Sequence, residues 1–259
     1  MDDAIRFRCR EEGDWLCFWA DLGEQFSPAR ARRVLERNAV LPFFRYGLQE
    51  NEGLVLRAEL LAGEATSSRV NTLLAVGRRE IQWFRAREGG ARGGSYVKSL
   101  KPTRECIRRA KESILAACEE IGAARYAEKE GSAEITLVTR DERRYSIQVD
   151  LDRKLARFEL NLCQVEALTP EQERALLLWA ARMNGVVRYG GLALKKDALR
   201  ARVCTMTELL SQEYCRAAIH SLITMRPLAQ SCAALLDQGV AAEYLAVTGA
   251  SHRVEHKTT

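Results

Sequence analysis

Histidine is nearly missing from this chain: it occurs three times in 259 residues, at His220, His252 and His256. His220 has only Arg216, Ala217, Ile223 and Thr224 at helical spacing around it, so no carboxylate or thiol stands ready to form an acid–base pair. His252 and His256 are four apart in a polar terminal stretch, and two ligands fall short of a metal site. The eight cysteines (Cys9, Cys17, Cys106, Cys118, Cys163, Cys204, Cys215 and Cys232) are scattered singly. None is paired as Cys-x-x-Cys and none has a histidine at ligand spacing, which argues against both a metal site and a disulfide framework. They read as reduced thiols used as small hydrophobes, as in a cytoplasmic protein. No apolar run reaches the roughly 18 residues of a membrane helix. The opening Met1-Asp2-Asp3-Ala4 lacks the charged and apolar regions of a secretory leader. Gly-x-Ser-x-Gly, phosphate-loop and dinucleotide patterns are also missing. The expectation is a chain without catalytic residues or cofactor, and not an enzyme.

Lysine is scarce too, with eight residues, so the basic side of the charge balance is carried by arginine. The formal charge of +5 is too small to require a nucleic acid or a lipid surface as partner. With 47% hydrophobic residues, a chain of this length can bury a core in each of two domains.

What is present is self-similarity. Arg45-Tyr46-Gly47 returns as Arg188-Tyr189-Gly190, and Leu56-Arg57-Ala58 returns as Leu199-Arg200-Ala201, both shifted by 143 residues. Upstream, Phe18-x-Ala20-x-Leu22 faces Phe158-x-Leu160-x-Leu162, and Ser27-Pro28 faces Thr169-Pro170. A repeat of this length is far longer than a solenoid unit. It predicts one domain laid down twice.

The pattern predicts strands over 4–10 and 14–22, then a helix capped by Ser27 with Pro28 at its first position and ending near Asn38. Strands over 41–48 and 54–61 and a helix over 66–87 follow. Gly89-Gly90-Ala91-Arg92-Gly93-Gly94-Ser95 reads as a linker. The second segment predicts a helix over 102–121 and strands over 133–139, 143–150 and 154–163. It continues with a helix from Thr169-Pro170 to Asn184, strands over 186–194 and 198–205, and a long helix from about Thr207. Pro227 must kink or split that last helix. The expected organisation is a shortened repeat over 1–88, a linker over 89–101, a complete repeat over 102–247 and a disordered tail over 248–259.

This order of elements, with an asparagine closing the central helix, resembles the YbjN-like family and its structural relatives, the type III secretion chaperones. The likeness is carried by Phe158, Leu160 and Leu162, by Ala181-Arg182-Met183-Asn184, by Tyr189, and by Leu199, Ala201 and Val203. In the first segment it is carried by Phe18, Ala20, Leu22, Glu36-Arg37-Asn38, Tyr46, Leu54, Leu56, Ala58 and Leu60. The resemblance implies an α+β fold of two tandem secretion-chaperone-like domains (α-β-β-β-α-β-β-α), the first shortened. It also implies symmetric pairing and a protein client, without catalysis.

Two asymmetries between the repeats mark candidate interface residues. The strand 154–163 has a polar outward face, Arg157, Glu159 and Asn161. The corresponding positions of the first repeat are Cys17, Trp19 and Asp21, with Trp15 beside them, so this face is expected to be covered. The covering body could be the other repeat or a second chain, a client, or the helix over 102–121. The second asymmetry is electrostatic. Arg30, Arg33 and Arg37, with Arg32 beside them, line the helix after Ser27, whereas Glu166, Glu171 and Glu173 stand at the equivalent start in the second repeat. Complementary charge of this kind sets orientation more than affinity. The expected partner is a protein client or a second copy of the chain, with no membrane involved. A rival reading is a single-stranded nucleic-acid accessory protein, with Phe43, Phe44 and Tyr46 stacking on bases beside the arginines and Lys98 and Lys101.

Overall fold

The computed structural model describes residues 5–25, 27–49, 53–88, 104–123, 125–129, 132–138, 144–152 and 154–248. The linker over 89–101 and all of the tail but Thr248 lie outside the described residues, as do His252 and His256.

The first half is a four-stranded antiparallel sheet with two helices. β1 (Arg8–Glu12) and β2 (Trp15–Gln25) form a hairpin, α1 (Pro28–Asn38) follows, then β3 (Phe44–Leu48), β4 (Gly53–Leu61) and α2 (Ser67–Glu88), with sheet order β1-β2-β4-β3. The sequence specifies α1 locally. Pro28 occupies the first turn, where a missing N–H costs nothing, and the Ser27 hydroxyl accepts from the Arg30 amide at 3.3 Å.

The second half begins with α3 (Arg104–Glu120). A six-stranded antiparallel sheet comes next, built from β5 (Arg125–Lys129), β6 (Ser132–Val138), β7 (Arg144–Leu151), β8 (Leu155–Gln164), β9 (Gly191–Lys195) and β10 (Ala198–Met206). Its order is β5-β6-β7-β8-β10-β9. Between β8 and β9 runs α4 (Pro170–Val186), opened by a reciprocal capping box between Thr169 and Gln172. After β10 come α5 (Gln212–Met225), α6 (Leu228–Leu235) and α7 (Gln238–Val247). The architecture is α+β with antiparallel sheets. No helix among the described residues is long and apolar enough to cross a membrane.

Three expectations need correction. β5 was not foreseen: Arg-Tyr-Ala-Glu-Lys has no alternating apolar face, and it forms by pairing along the edge of β6. The single final helix is instead three, after a short 3₁₀ turn over Thr207–Leu209. Pro227 separates α5 from α6 as expected, but a second break comes at Asp237, whose side chain caps α7 by accepting from Val240.

The third correction concerns alignment. Tyr46 lies within β3, opposite Leu56, whereas Tyr189 lies before β9 with φ +45°. The residue that matches Tyr189 is Phe43, which precedes β3 with φ +62°. Left-handed aromatics are uncommon, so their recurrence at the same place before two edge strands is informative. The shift that relates them is 146 residues (189 − 43), the same as between Asn38 and Asn184 (184 − 38). The tripeptide match at 143 is therefore not kept in space.

The core is continuous across both halves. Phe18, Leu35, Tyr46 and Leu56 belong to the same buried cluster as Phe158, Leu176, Leu192 and Ile219. α1 packs on β9, α4 packs on β3, and α1 and α4 lie against one another, so each central helix rests on the other half's edge strand. α3 packs against α5 and the 207–209 turn, within its own half.

Candidate functional site

The chemistry of the chain concentrates where the halves meet, and it is built from two matching sets of residues. Each central helix carries in its last turn a buried asparagine that reads the backbone of the following edge strand. Asn38 accepts from the Tyr46 amide at 2.8 Å and donates to its carbonyl at 3.1 Å. Asn184 accepts from the Leu192 amide at 2.5 Å and donates to its carbonyl at 2.9 Å. Asn38 also donates to the Leu192 carbonyl at 3.2 Å, which ties the edge of one sheet to the edge of the other. Open edges are thereby covered within one chain.

Helix ends leave carbonyls without intrahelical partners and carry partial negative charge. Arginines from the opposite half meet them. Arg45 Nε donates to the Asn184 carbonyl at 3.0 Å and Arg45 Nη2 to the Val187 carbonyl at 2.5 Å, while Arg57 Nη1 donates to the Gly185 carbonyl at 2.6 Å. Reciprocally, Arg202 donates to the Asn38 carbonyl at the end of α1. Arg57 and Arg202 hold matching positions, opposite Arg45 and Gly191 on their respective edge strands.

These cations are held by buried carboxylates. Glu59 receives both Arg45 nitrogens, at 2.5 and 2.7 Å, and Arg57 Nε at 2.6 Å. Glu159 receives Lys195 at 3.0 Å and Arg200 at 2.8 Å, with Arg202 Nε at 3.6 Å. The contact is tightest at β3. A Cβ on Gly47 would stand 2.6 Å from the Asn184 carbonyl carbon, and one on Gly185 would overlap the Leu48 carbonyl oxygen. Beside this contact a cavity of about 30 Å³ of space open to a water's centre is lined by Asn38, Arg45, Glu59, Gly190, Arg202 and Tyr214. It has room for one or two waters.

The residues singled out from the sequence fall into three groups. Trp15 and Cys17 lie at the junction: the Trp15 ring stands 4.2 Å from that of Tyr189 in the other half, and Cys17 is buried opposite Glu59. Trp19 is half-buried opposite Arg57. Phe43 donates its amide to the Cys204 carbonyl of the other half at 2.8 Å, again across the junction.

Arg37 and Phe44 belong instead to the interior of the first half. Arg37 forms a bidentate pair with Glu80 and covers the Trp83 ring, and Phe44 packs on Phe7. Burial works against the charge on Arg37, but the Glu80 carboxylate more than restores it, so its pKa is raised. The phenol of Tyr46 is pushed up by burial and by the same Glu80, to which it donates at 2.8 Å.

The third group is the charged helix face. Arg33 is exposed and Arg30 half-buried. The expected complementarity is made by their neighbour, since Arg32 Nε reaches Glu173 on α4 at 2.8 Å. Sequence reasoning missed Arg45, Arg57, Glu59, Glu159 and Arg202. Strand alternation places all five on outward faces, but only the packing of one half on the other shows that four of them are almost fully buried.

Among the described residues no three His, Cys, Asp or Glu side chains converge as a metal site. No known family model, curated protein or solved structure matches the chain.

Proposed function

We propose that the chain is a non-enzymatic protein-binding module, chaperone- or adaptor-like, in which two related halves form a pseudo-dimer within one polypeptide. The observation that carries this reading is reciprocity. Asn38 and Asn184 read equivalent edge strands, Arg57 and Arg202 cap each other's central helix, and Phe43 and Tyr189 share a left-handed conformation before those strands. Independent domains joined by a linker have no reason to exchange helix caps, whereas duplicated subunits of a symmetric dimer do. Such a dimer is what the resemblance to secretion chaperones implies, and fusion fixes its stoichiometry at one.

The pseudo-dimer predicts a monomer of 29.2 kDa in solution, because the pairing surfaces are already used internally. Light scattering across a hundredfold concentration range tests this, and a dimer that persists to the lowest concentration would contradict it. Client binding is tested by crosslinking the tagged chain in source lysate. A single protein captured in stoichiometric amount, and released by variants at the exposed surface but not by salt, supports the reading.

A second reading has one observation behind it. On α2, Arg78, Arg79 and Arg85 are exposed and no acidic side chain is exposed among its described residues. This face suits a phosphate backbone. Two of its three stacking rings are closed off, since Phe44 is 3% exposed and Tyr46 0%, while Phe43 is half-buried. Retention on single-stranded DNA that falls steeply with salt would favour it over the protein client.

A further inference from the structure

β8 does not keep its alternation to the end. Its pairing with β10 shifts between Leu199 and Arg200, so that Leu199 faces Cys163 and Arg200 faces Asn161. The bulge inserts Leu162 as the extra residue and reverses the parity of the strand beyond it. Cys163 would otherwise share the outward face with Arg157, Glu159 and Asn161. Instead it stands opposite Leu199, which is fully buried on the helix-covered face. α6 packs on β8 there, and its Cys232 is fully buried while Cys163 keeps partial access to solvent. The two thiols lie near enough for each to perturb the titration of the other.

We propose that Cys163 and Cys232 form a reversible disulfide that fastens α6 to the end of β8, with a low-molecular-weight disulfide as the oxidant. The accessible Cys163 thiolate attacks one sulfur of the oxidant RSSR. The S–S bond breaks, one RS⁻ leaves and takes up the proton lost by Cys163, and a mixed disulfide remains. Cys232 then loses its proton and attacks the Cys163 sulfur, expelling the second RSH. The dithiol is oxidised by two electrons and RSSR is reduced to two thiols, so the exchange balances.

The division of labour comes from burial. A small disulfide can reach Cys163 but not Cys232, so the first acts as the attacking thiol and the second resolves. The interaction between the thiols lowers the pKa of Cys163, and together with burial it raises that of Cys232, which is the order such an exchange requires. The bulge is what brings the pair together, because a regular strand would aim Cys163 away from α6. The remaining fully buried thiols, such as Cys215, are shut off from any oxidant, and Cys9 is exposed on β1.

The test is incubation of the full chain with glutathione disulfide, followed by alkylation of free thiols and peptide mapping. The expected result is a crosslinked pair of peptides containing Cys163 and Cys232, loss of two alkylatable thiols, and reversal by dithiothreitol. The oxidised form should unfold about 5–10 °C higher, since the bridge closes a long loop. Cys232→Ser should trap glutathione on Cys163 as a stable mixed disulfide, and Cys163→Ser should abolish both products. Both thiols remaining free, or Cys163 holding glutathione in the unaltered chain without passing it on, would overturn the proposal. Because a crosslink forms only in the folded chain, far-ultraviolet circular dichroism of each serine variant separates misfolding from loss of chemistry.

Discussion

Replacing Arg45 by methionine is the sharpest probe of how the halves are held together. Methionine keeps the length and apolar stem of the side chain but removes the five donors of the guanidinium. Arg45 is 4% exposed and its partner Glu59 is 3% exposed, so neither charge is relieved by water when the other is lost. Removing one member of a buried pair typically costs 3–5 kcal/mol. Glu59 keeps Arg57 Nε at 2.6 Å, which places this case near the lower end of that range. The carbonyls of Asn184 and Val187 also lose their donor, at about 1 kcal/mol each. The expected total is about 3–5 kcal/mol, a large part of the 5–15 kcal/mol that holds a typical protein folded.

The diagnostic step is the double variant Arg45→Met with Glu59→Leu. It removes the stranded carboxylate, so it should be more stable than Arg45→Met alone by about 2 kcal/mol despite carrying more substitutions. Urea unfolding followed by tryptophan fluorescence measures both. Trp15 stacks on Tyr189 across the junction and reports its opening directly. A single transition is expected throughout, because the core runs through both halves. Should Arg45→Met cost less than 1 kcal/mol, or the double variant be no better than the single, the buried network is not what couples the halves.

Two further perturbations test neighbouring steps of the argument. Gly185→Ala drives a methyl group into the Leu48 carbonyl and should cost about 3 kcal/mol or more, whereas Gly63→Ala, with open space around it, should cost under about 1 kcal/mol; thermal melts of the two variants compare them. Asp152 provides a pH test. Burial alone would raise its pKa, but the amides of Lys154 at 2.6 Å and Leu155 at 2.8 Å, with Arg157 at 2.6 Å, outweigh that and lower it. A carboxylate depressed in the folded state stabilises above its unfolded pKa, near 3.9, and loses that contribution as pH falls through the lower folded value. Asp152→Asn should therefore melt below the unaltered chain at pH 7, with the gap narrowing as pH falls below the ordinary aspartate range, about 3.9.

Element order was legible because strand parity and helix caps are local. Phe158, Leu160 and Leu162 alternate, Ser27-Pro28 and Thr169-Pro170 open helices, and each of these signals acts within a few residues. The correspondence between Asn38 and Asn184, each bonded to the backbone eight residues on, was not legible, for a reason that is also physical. From Pro28 to Asn38 the first central helix has 11 residues, and from Pro170 to Asn184 the second has four more before it runs on to Val186. The four extra residues are about one turn, so they lengthen α4 without rotating the face that its asparagine presents. An ungapped comparison cannot absorb a whole turn, and it settled on the coincidence between Tyr46 and Tyr189. The interface residues were hidden for a related reason. Outward-facing Arg57, Glu59, Glu159 and Arg202 look like any solvated strand face until a second body covers them. The visible hint of that cover was the replacement of outward Arg157 and Glu159 by Cys17 and Trp19 in the first half, with Trp15 beside them. Cover of that kind belongs to the pair of halves rather than to either alone, so it becomes readable only when one segment is compared with the other.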